Sequence, residues 1–127
     1  MKTILKNKWI IAAALIFGFA SFANAGCVHY PDSINDPNDC IDKSYQVDVP
    51  STCSVYGEIY IYGICQGHVE VWRQNGGQIL SLDSTQWGTV FDSVDSQPAD
   101  TYYTDHWGVI LQGPDSLISL RTVICWN

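Results

Sequence analysis

The side chains with chemistry to offer in this chain of 127 residues are five cysteines, three histidines, two glutamates and many Tyr and Trp. Cys40, Cys53, Cys65 and Cys125 show no CxxC or Cys/His spacing of a zinc site, so disulfide formation is the chemistry expected of them. A Cys40–Cys53 bridge would close a short loop, worth about 3 kcal/mol in the chain-entropy model. His29, His68 and His106 lie in three different contexts, and there is no Gly-x-Ser-x-Gly elbow. Glu58 and Glu70 fall on alternating segments, where carboxylates belong to solvated faces rather than to a glycosidase pair. Read as a calcium loop from Asp36, the acidic run places Asn38 correctly but puts Cys40 where an oxygen is needed. The residues therefore lead us to expect neither an enzyme, nor a metal site, nor a cofactor.

The aromatic side chains are more informative. Beyond residue 25 there are four Trp and seven Tyr against a single Phe, Phe91. Tyr and Trp join apolar area to a polar handle and are enriched at interfaces. On a strand Tyr60 and Tyr62 share a face; with Trp72 they could stack a sugar or a protein, or simply cover the outside of a small sheet. A second concentration, Thr101 to Gly108 ("TYYTDHWG"), mixes aromatics with Asp105 and His106.

The elements that position these residues are strands. In "VYGEIYIYGIC" Ile59, Ile61 and Cys65 point one way, and Glu58, Tyr60 and Tyr62 the other. In "HVEVW" Val69 and Val71 oppose His68, Glu70 and Trp72. Asn75-Gly76 signals a hairpin with a type I′ turn, and "QILSL" is the return strand. Further strands are expected at Gly88–Val94, His106–Gln112 and Leu117–Cys125, the last two joined by a "GPDS" turn. No window carries an apolar period of helical length. Residues 26–54 are rich in Asp, Asn, Pro and Ser and read as an irregular arm with one short strand at Tyr45–Val49. The expected fold is all-β: a small antiparallel β-barrel or sandwich over 55–127, stapled by disulfides, behind an irregular N-terminal arm.

Residues 1–25 have the three parts of an export signal: Lys2, Lys6 and Lys8, the apolar stretch Trp9–Ala20, and the small-x-small site Ala23–Ala25. The apolar stretch is short of the ~20 residues that span a bilayer. The remaining 102 residues hold three basic and thirteen acidic side chains, a net charge of −10. Such a surface repels nucleic acid and attracts cationic partners over long range, besides keeping the chain soluble.

The segment "YTDHWGVILQGPDSL", Tyr103 to Leu117, resembles the C-terminal signature of the bacterial c-type lysozyme inhibitors, periplasmic or lipid-anchored. Tyr103, the strand Trp107–Leu111, Gly113 and Cys125 take the places of that family's Tyr, apolar strand, Gly turn and last Cys. "YGICQGHVEVW" resembles its opening strand. The resemblance covers Cys65 to Cys125 and implies a small antiparallel barrel, a Cys65–Cys125 disulfide and a loop that enters the lysozyme cleft. Ala99 and Asp100 replace the family's Ser-Gly, and Gln112 its Lys. Ala99 donates no hydrogen bond and Asp100 would be repelled by catalytic carboxylates, so inhibition is lost or moved to other residues.

The first functional expectation is thus an exported, non-catalytic protein that binds a cationic partner, lysozyme-like under the resemblance. Asp100, Tyr103, Asp105, His106, Trp107, Gln112, Gly113, Asp115 and Ser116 would carry the contact. The alternative is a carbohydrate-binding or adhesion module stacking sugars on Tyr60, Tyr62 and Trp72. Cys27 is the odd cysteine once Cys40–Cys53 and Cys65–Cys125 pair. Ordinary cleavage after Ala25 would leave it free or cross-linking two chains. Lipoprotein-type cleavage would acylate it and place the chain on a membrane, although Asn24 stands where Leu is usual.

Overall fold

The computed structural model describes residues 25–127, so the expected export signal lies outside the described residues except for Ala25. Six antiparallel strands follow one another: β1 (Gly26–Ile34), β2 (Cys40–Val49), β3 (Cys53–Arg73), β4 (Gly77–Ser84), β5 (Gly88–Gln97) and β6 (Asp100–Trp126). Two of them, β3 and β6, are far longer than the five or six residues usual for a strand. They pair along nearly their whole length and both bend in the middle. Each half then recruits a different edge strand.

The first half of β3 and the second half of β6 form one layer with β1 and β5, in the order β1-β6-β3-β5. The remaining halves form a second layer with β2 and β4, in the order β2-β6-β3-β4. The result is an all-β sandwich rather than a closed barrel.

Alternation dictates what lies between the layers. From β3 come Val55, Ile59, Ile61, Cys65, Val69 and Val71, and from β6 Tyr102, Ile118, Leu120 and Ile124, all fully buried. The inward set expected for Ile59, Ile61, Cys65, Val69 and Val71 is the set observed. Burying a Val or Ile side chain contributes about 1.5–3 kcal/mol, so these positions dominate the core energetics.

The bends use two glycines. Gly63 has φ +95° and Gly113 φ +103°, where side chains with a Cβ are strained. Ser116 Oγ ties the bends together: it accepts the Ile64 N–H at 3.1 Å and donates to the Gln112 carbonyl at 2.7 Å. Between the pairs Tyr62↔Leu117 and Ile64↔Gln112, β6 carries the additional residues Gly113 to Ser116. The "GPDS" stretch is therefore an excursion within one bent strand, not the turn of a hairpin. The two apolar strands read on either side of it lie in different layers and do not pair with each other.

Two further expectations are corrected. Residues 26–34 and 40–49 are ordered strands, not an irregular arm, although Tyr45–Val49 is strand as expected. They are polar because each is an edge strand, with β6 as partner on one side only. Tyr30 stacks on Tyr45 with centroids 4.3 Å apart, joining these edges where the layers meet. Finally, the β3–β4 hairpin forms at Asn75-Gly76, but positive φ falls on Gly77 alone, so the turn is not type I′.

Candidate functional site

The bend end of the sandwich gathers the β1–β2 loop, the two bends and the β4–β5 loop, while Gly26 and Trp126 pair at the opposite end. Alternation along the first half of β3 turns Tyr60 and Tyr62 outward, beside the β6 excursion. These tyrosines, with Asn35, Pro114, Asp115 and Ser116, line an open concavity of about 470 Å³. Trp87, just before Gly88 and thus beside the Gly88↔Ile61 pair, stands edge-on to Tyr62 with centroids 4.7 Å apart. Tyr62 is 43% exposed and Trp87 67%, well above what core packing would leave. Farther along the same face Phe91, also exposed, tilts against Tyr56 at 6.0 Å.

Trp72 belongs elsewhere. The bend at Gly63 carries the rest of β3 into the second layer, where Trp72 stacks on Tyr103 at 4.8 Å. The expected three-residue stacking set is therefore split, and Trp87 takes the third place. Nothing in the periodicity of "DSTQWGTV" marked that tryptophan, because its contact depends on which loop meets the bend.

The residues expected to bind a partner divide into two groups. Tyr103, Asp105 and Trp107 do share the outer face of the second layer, and Gln112, Gly113 and Asp115 are exposed at the bend. Asp100, His106 and Ser116 are committed inside the fold. His106 is buried, with Nδ1 2.8 Å from Asp32 Oδ2 and Nε2 2.7 Å from Thr122 Oγ1, and Thr122 in turn meets Thr104 at 2.8 Å. The Tyr45 hydroxyl donates to the same Asp32 carboxylate, and burial with that bond raises its pKa well above the usual tyrosine value. This chain of polar groups has the order of a catalytic triad, but Thr122 is completely buried and meets no substrate space.

Asp100 clamps the β3–β4 turn. It accepts from Arg73 at 3.0 Å, from the Asn75 backbone at 3.1 Å and side chain at 2.9 Å, and from the Thr101 N–H at 2.8 Å. Burial alone would raise its pKa, but these donors outweigh it and hold the carboxyl below the usual aspartate range. Ser116 is fixed by the two bends described above.

Around Tyr103, Asp105 and Trp107 the register adds neighbours that sequence reading did not place. Strand β2 contributes Asp42 and Ser44, and strands β3 and β4 contribute His68, Glu70 and Asp83. His68 lies between Glu70 at 2.9 Å and Asp83 at 2.7 Å. Partial burial disfavours its charge, but the two carboxylates prevail and raise its pKa.

The disulfide also differs from expectation. Cys27 bonds Cys125, its direct partner across β1 and β6, and Cys40, Cys53 and Cys65 are free thiols. Cys65 faces the core opposite Ile110, whereas Cys125 faces outward, so the sheet separates them. Cys40 begins β2 at the bend end and Cys53 follows its far end, about 30 Å of strand away. A sulfur bonded to Cys125 of the same chain is neither acylated, nor free, nor available to cross-link two chains, which removes all three fates expected for Cys27. The bond fits an oxidising compartment.

No family model and no curated protein sequence matches this chain. Solved structures resemble it distantly, among them the following three. One, described as "Bacillus endospore appendages form a novel family of disulfide-linked pili", has TM-score 0.43 at 9% identity, covering 81% of this chain and 89% of that one. The carbohydrate-binding module CBM36 in complex with calcium and xylotriose has TM-score 0.41 at 12% identity, covering 77% and 97%. The infectious bursal disease virus VP2 subviral particle has TM-score 0.38 at 11% identity, covering 82% of this chain and 31% of that one.

Proposed function

We propose that this chain is a non-catalytic binding module that takes sugar rings at the bend end of its sandwich. One observation carries the reading: Tyr62 and Trp87 present exposed rings in mutual contact at the rim of a concavity that Tyr60 also lines. Aromatic faces offer flat apolar area to the C–H faces of pyranose rings, and tyrosine hydroxyls remain free for polar contact. The paired bends, tied together by Ser116, hold the platform rigid, which lowers the ordering cost of binding. A glycan array probed with the chain and with a Tyr60→Ala/Tyr62→Ala double variant tests the proposal. Retention of oligosaccharides by the first and not the second is expected. Equal retention by both, or none by either, would overturn it.

A second reading, a cationic protein partner, is favoured by the outer face of the second layer. Trp72, Tyr103 and Trp107 lie there among Asp42, Glu70, Asp83 and Asp105, and of the three basic residues in the described chain Arg73 and Arg121 are occupied by Asp100 and Glu58. The resemblance near the C-terminus makes c-type lysozyme the first partner to try. Undiminished lytic activity at large excess of this chain and low salt would sink that reading.

A further inference from the structure

Resting on the sugar-binding reading, we infer that the concavity selects glycans bearing free amines, such as de-N-acetylated amino sugars, and that Asp115 is the residue that selects them. Asp115 is exposed, sits in the β6 excursion, and lines the same concavity as Tyr60 and Tyr62. Ser116, the other polar group of the excursion, has its hydroxyl committed to Gln112 and Ile64. No hydrogen bond or ion pair within the described chain occupies the Asp115 carboxylate. Among the described residues, no Lys, Arg or His lines the concavity.

The wider surroundings have the same sign. Asn35 opens the β1–β2 loop, which carries Asp36 and Asp39. Arg121 is held by Glu58 at 2.9 Å, and Lys43 lies on β2 in the other layer. A uronic or sialic acid carboxylate would therefore meet uncompensated negative charge. An ammonium group on a stacked ring gains a charge-assisted hydrogen bond to Asp115 and the cation–π attraction of the tyrosine faces. A neutral N-acetylated ring keeps the stacking and loses both.

Binding is measured by titration calorimetry at low salt against glucosamine, N-acetylglucosamine and galacturonate oligomers of equal length. The glucosamine oligomer is expected to bind about fivefold more tightly than the acetylated one, the upper end for an exposed ion pair. The galacturonate oligomer should not bind. Asp115→Asn should bring the amine and acetylated oligomers to equal affinity. Asp42→Asn, which removes an equal charge from the other layer, should preserve it.

Equal affinity for the amine and acetylated oligomers overturns the inference and leaves the sugar-binding reading standing. So does loss of the preference in both variants, which would trace it to the overall charge. Failure of all three oligomers to bind also overturns the inference, and the glycan array then decides the sugar-binding reading separately.

Discussion

Ser116 Oγ accepts the backbone N–H of Ile64 at 3.1 Å across the two bends, directly beside Gly63. A Cβ on Gly63 would run into the Ser116 side chain, and φ there is +95°. The bends are thus interlocked, and Ser116, which ties them, also lines the concavity. Ser116→Ala leaves a partly buried N–H without its acceptor and should cost about 1–3 kcal/mol. Gly63→Ala adds backbone strain of about 1–3 kcal/mol to the clash, so it should be the more damaging of the two. Urea denaturation of both variants measures the order; a milder effect for Gly63→Ala would refute the interlock.

The cysteine assignment makes a counting prediction. Alkylation without reductant should add one label to the native chain, at Cys40, because Cys53 and Cys65 are buried. In denaturant it should add three, since Cys27 and Cys125 remain bonded. Replacing both Cys27 and Cys125 by Ser frees the edge strand β1 from β6 over a sequence separation of 98 and should cost about 2–5 kcal/mol. Intact mass counts the labels and peptide mapping identifies the bonded pair; a single label in denaturant, or a pair other than Cys27 with Cys125, would contradict the assignment.

The core of this fold was legible because β3 and β6 alternate on either side of their bends, and a period of two fixes which side chains turn inward. The layering was not. It depends on two long strands bending together, and "GPDS" reads equally as a hairpin turn or as an excursion within one strand. Strand β1 and the Cys40–Ser44 part of β2 were missed because their residues are mostly polar and carry no apolar period, although Tyr45–Val49 was expected as strand. At the site, Tyr60 and Tyr62 were legible as a shared face. Trp72 and Trp87 were exchanged because strand pattern does not tell which layer a residue enters after a bend. His106 looked like a surface aromatic next to Trp107, yet alternation places it inward beside Tyr102 and Thr104, where Asp32 from the supposed arm receives it.

The cluster of Asp32, His106, Tyr45 and Thr122 ties β1 and β2, from different layers, to β6. Asp32→Ala removes the acceptor for both Tyr45 and the His106 ring. It should destabilise the chain by about 2–4 kcal/mol, two lost bonds with buried donors left behind. His106→Leu keeps the volume but strands Thr122 less severely, because Thr104 still meets it at 2.8 Å. Its cost should be the smaller. Thermal melts of the two variants test this ordering, and a harmless Asp32→Ala would show that the cluster does not hold the edges.

The last prediction concerns acid. Asp100 has its pKa lowered in the folded chain by Thr101, Asn75 and Arg73, against the opposing effect of burial. In the unfolded chain it returns to an ordinary aspartate value of about 3.9. A group with a depressed folded pKa contributes stability above its unfolded pKa, and that contribution is lost as pH falls through the folded one. Glu58 acts in the same sense, with burial opposed and outweighed by bonds from Tyr56 and Arg121. His68 acts in the opposite sense: its raised pKa contributes below the ordinary histidine value and fades as pH rises through the folded one. Asp100 is therefore isolated by difference. Asp100→Asn should melt below the wild type at neutral pH, because Arg73 loses its counter-charge at the β3–β4 turn. The gap should narrow steadily on acidification below about pH 4, where the wild-type carboxylate is itself neutralised. A gap that stayed constant through the acid range would mean that Asp100 holds the turn by shape rather than by charge.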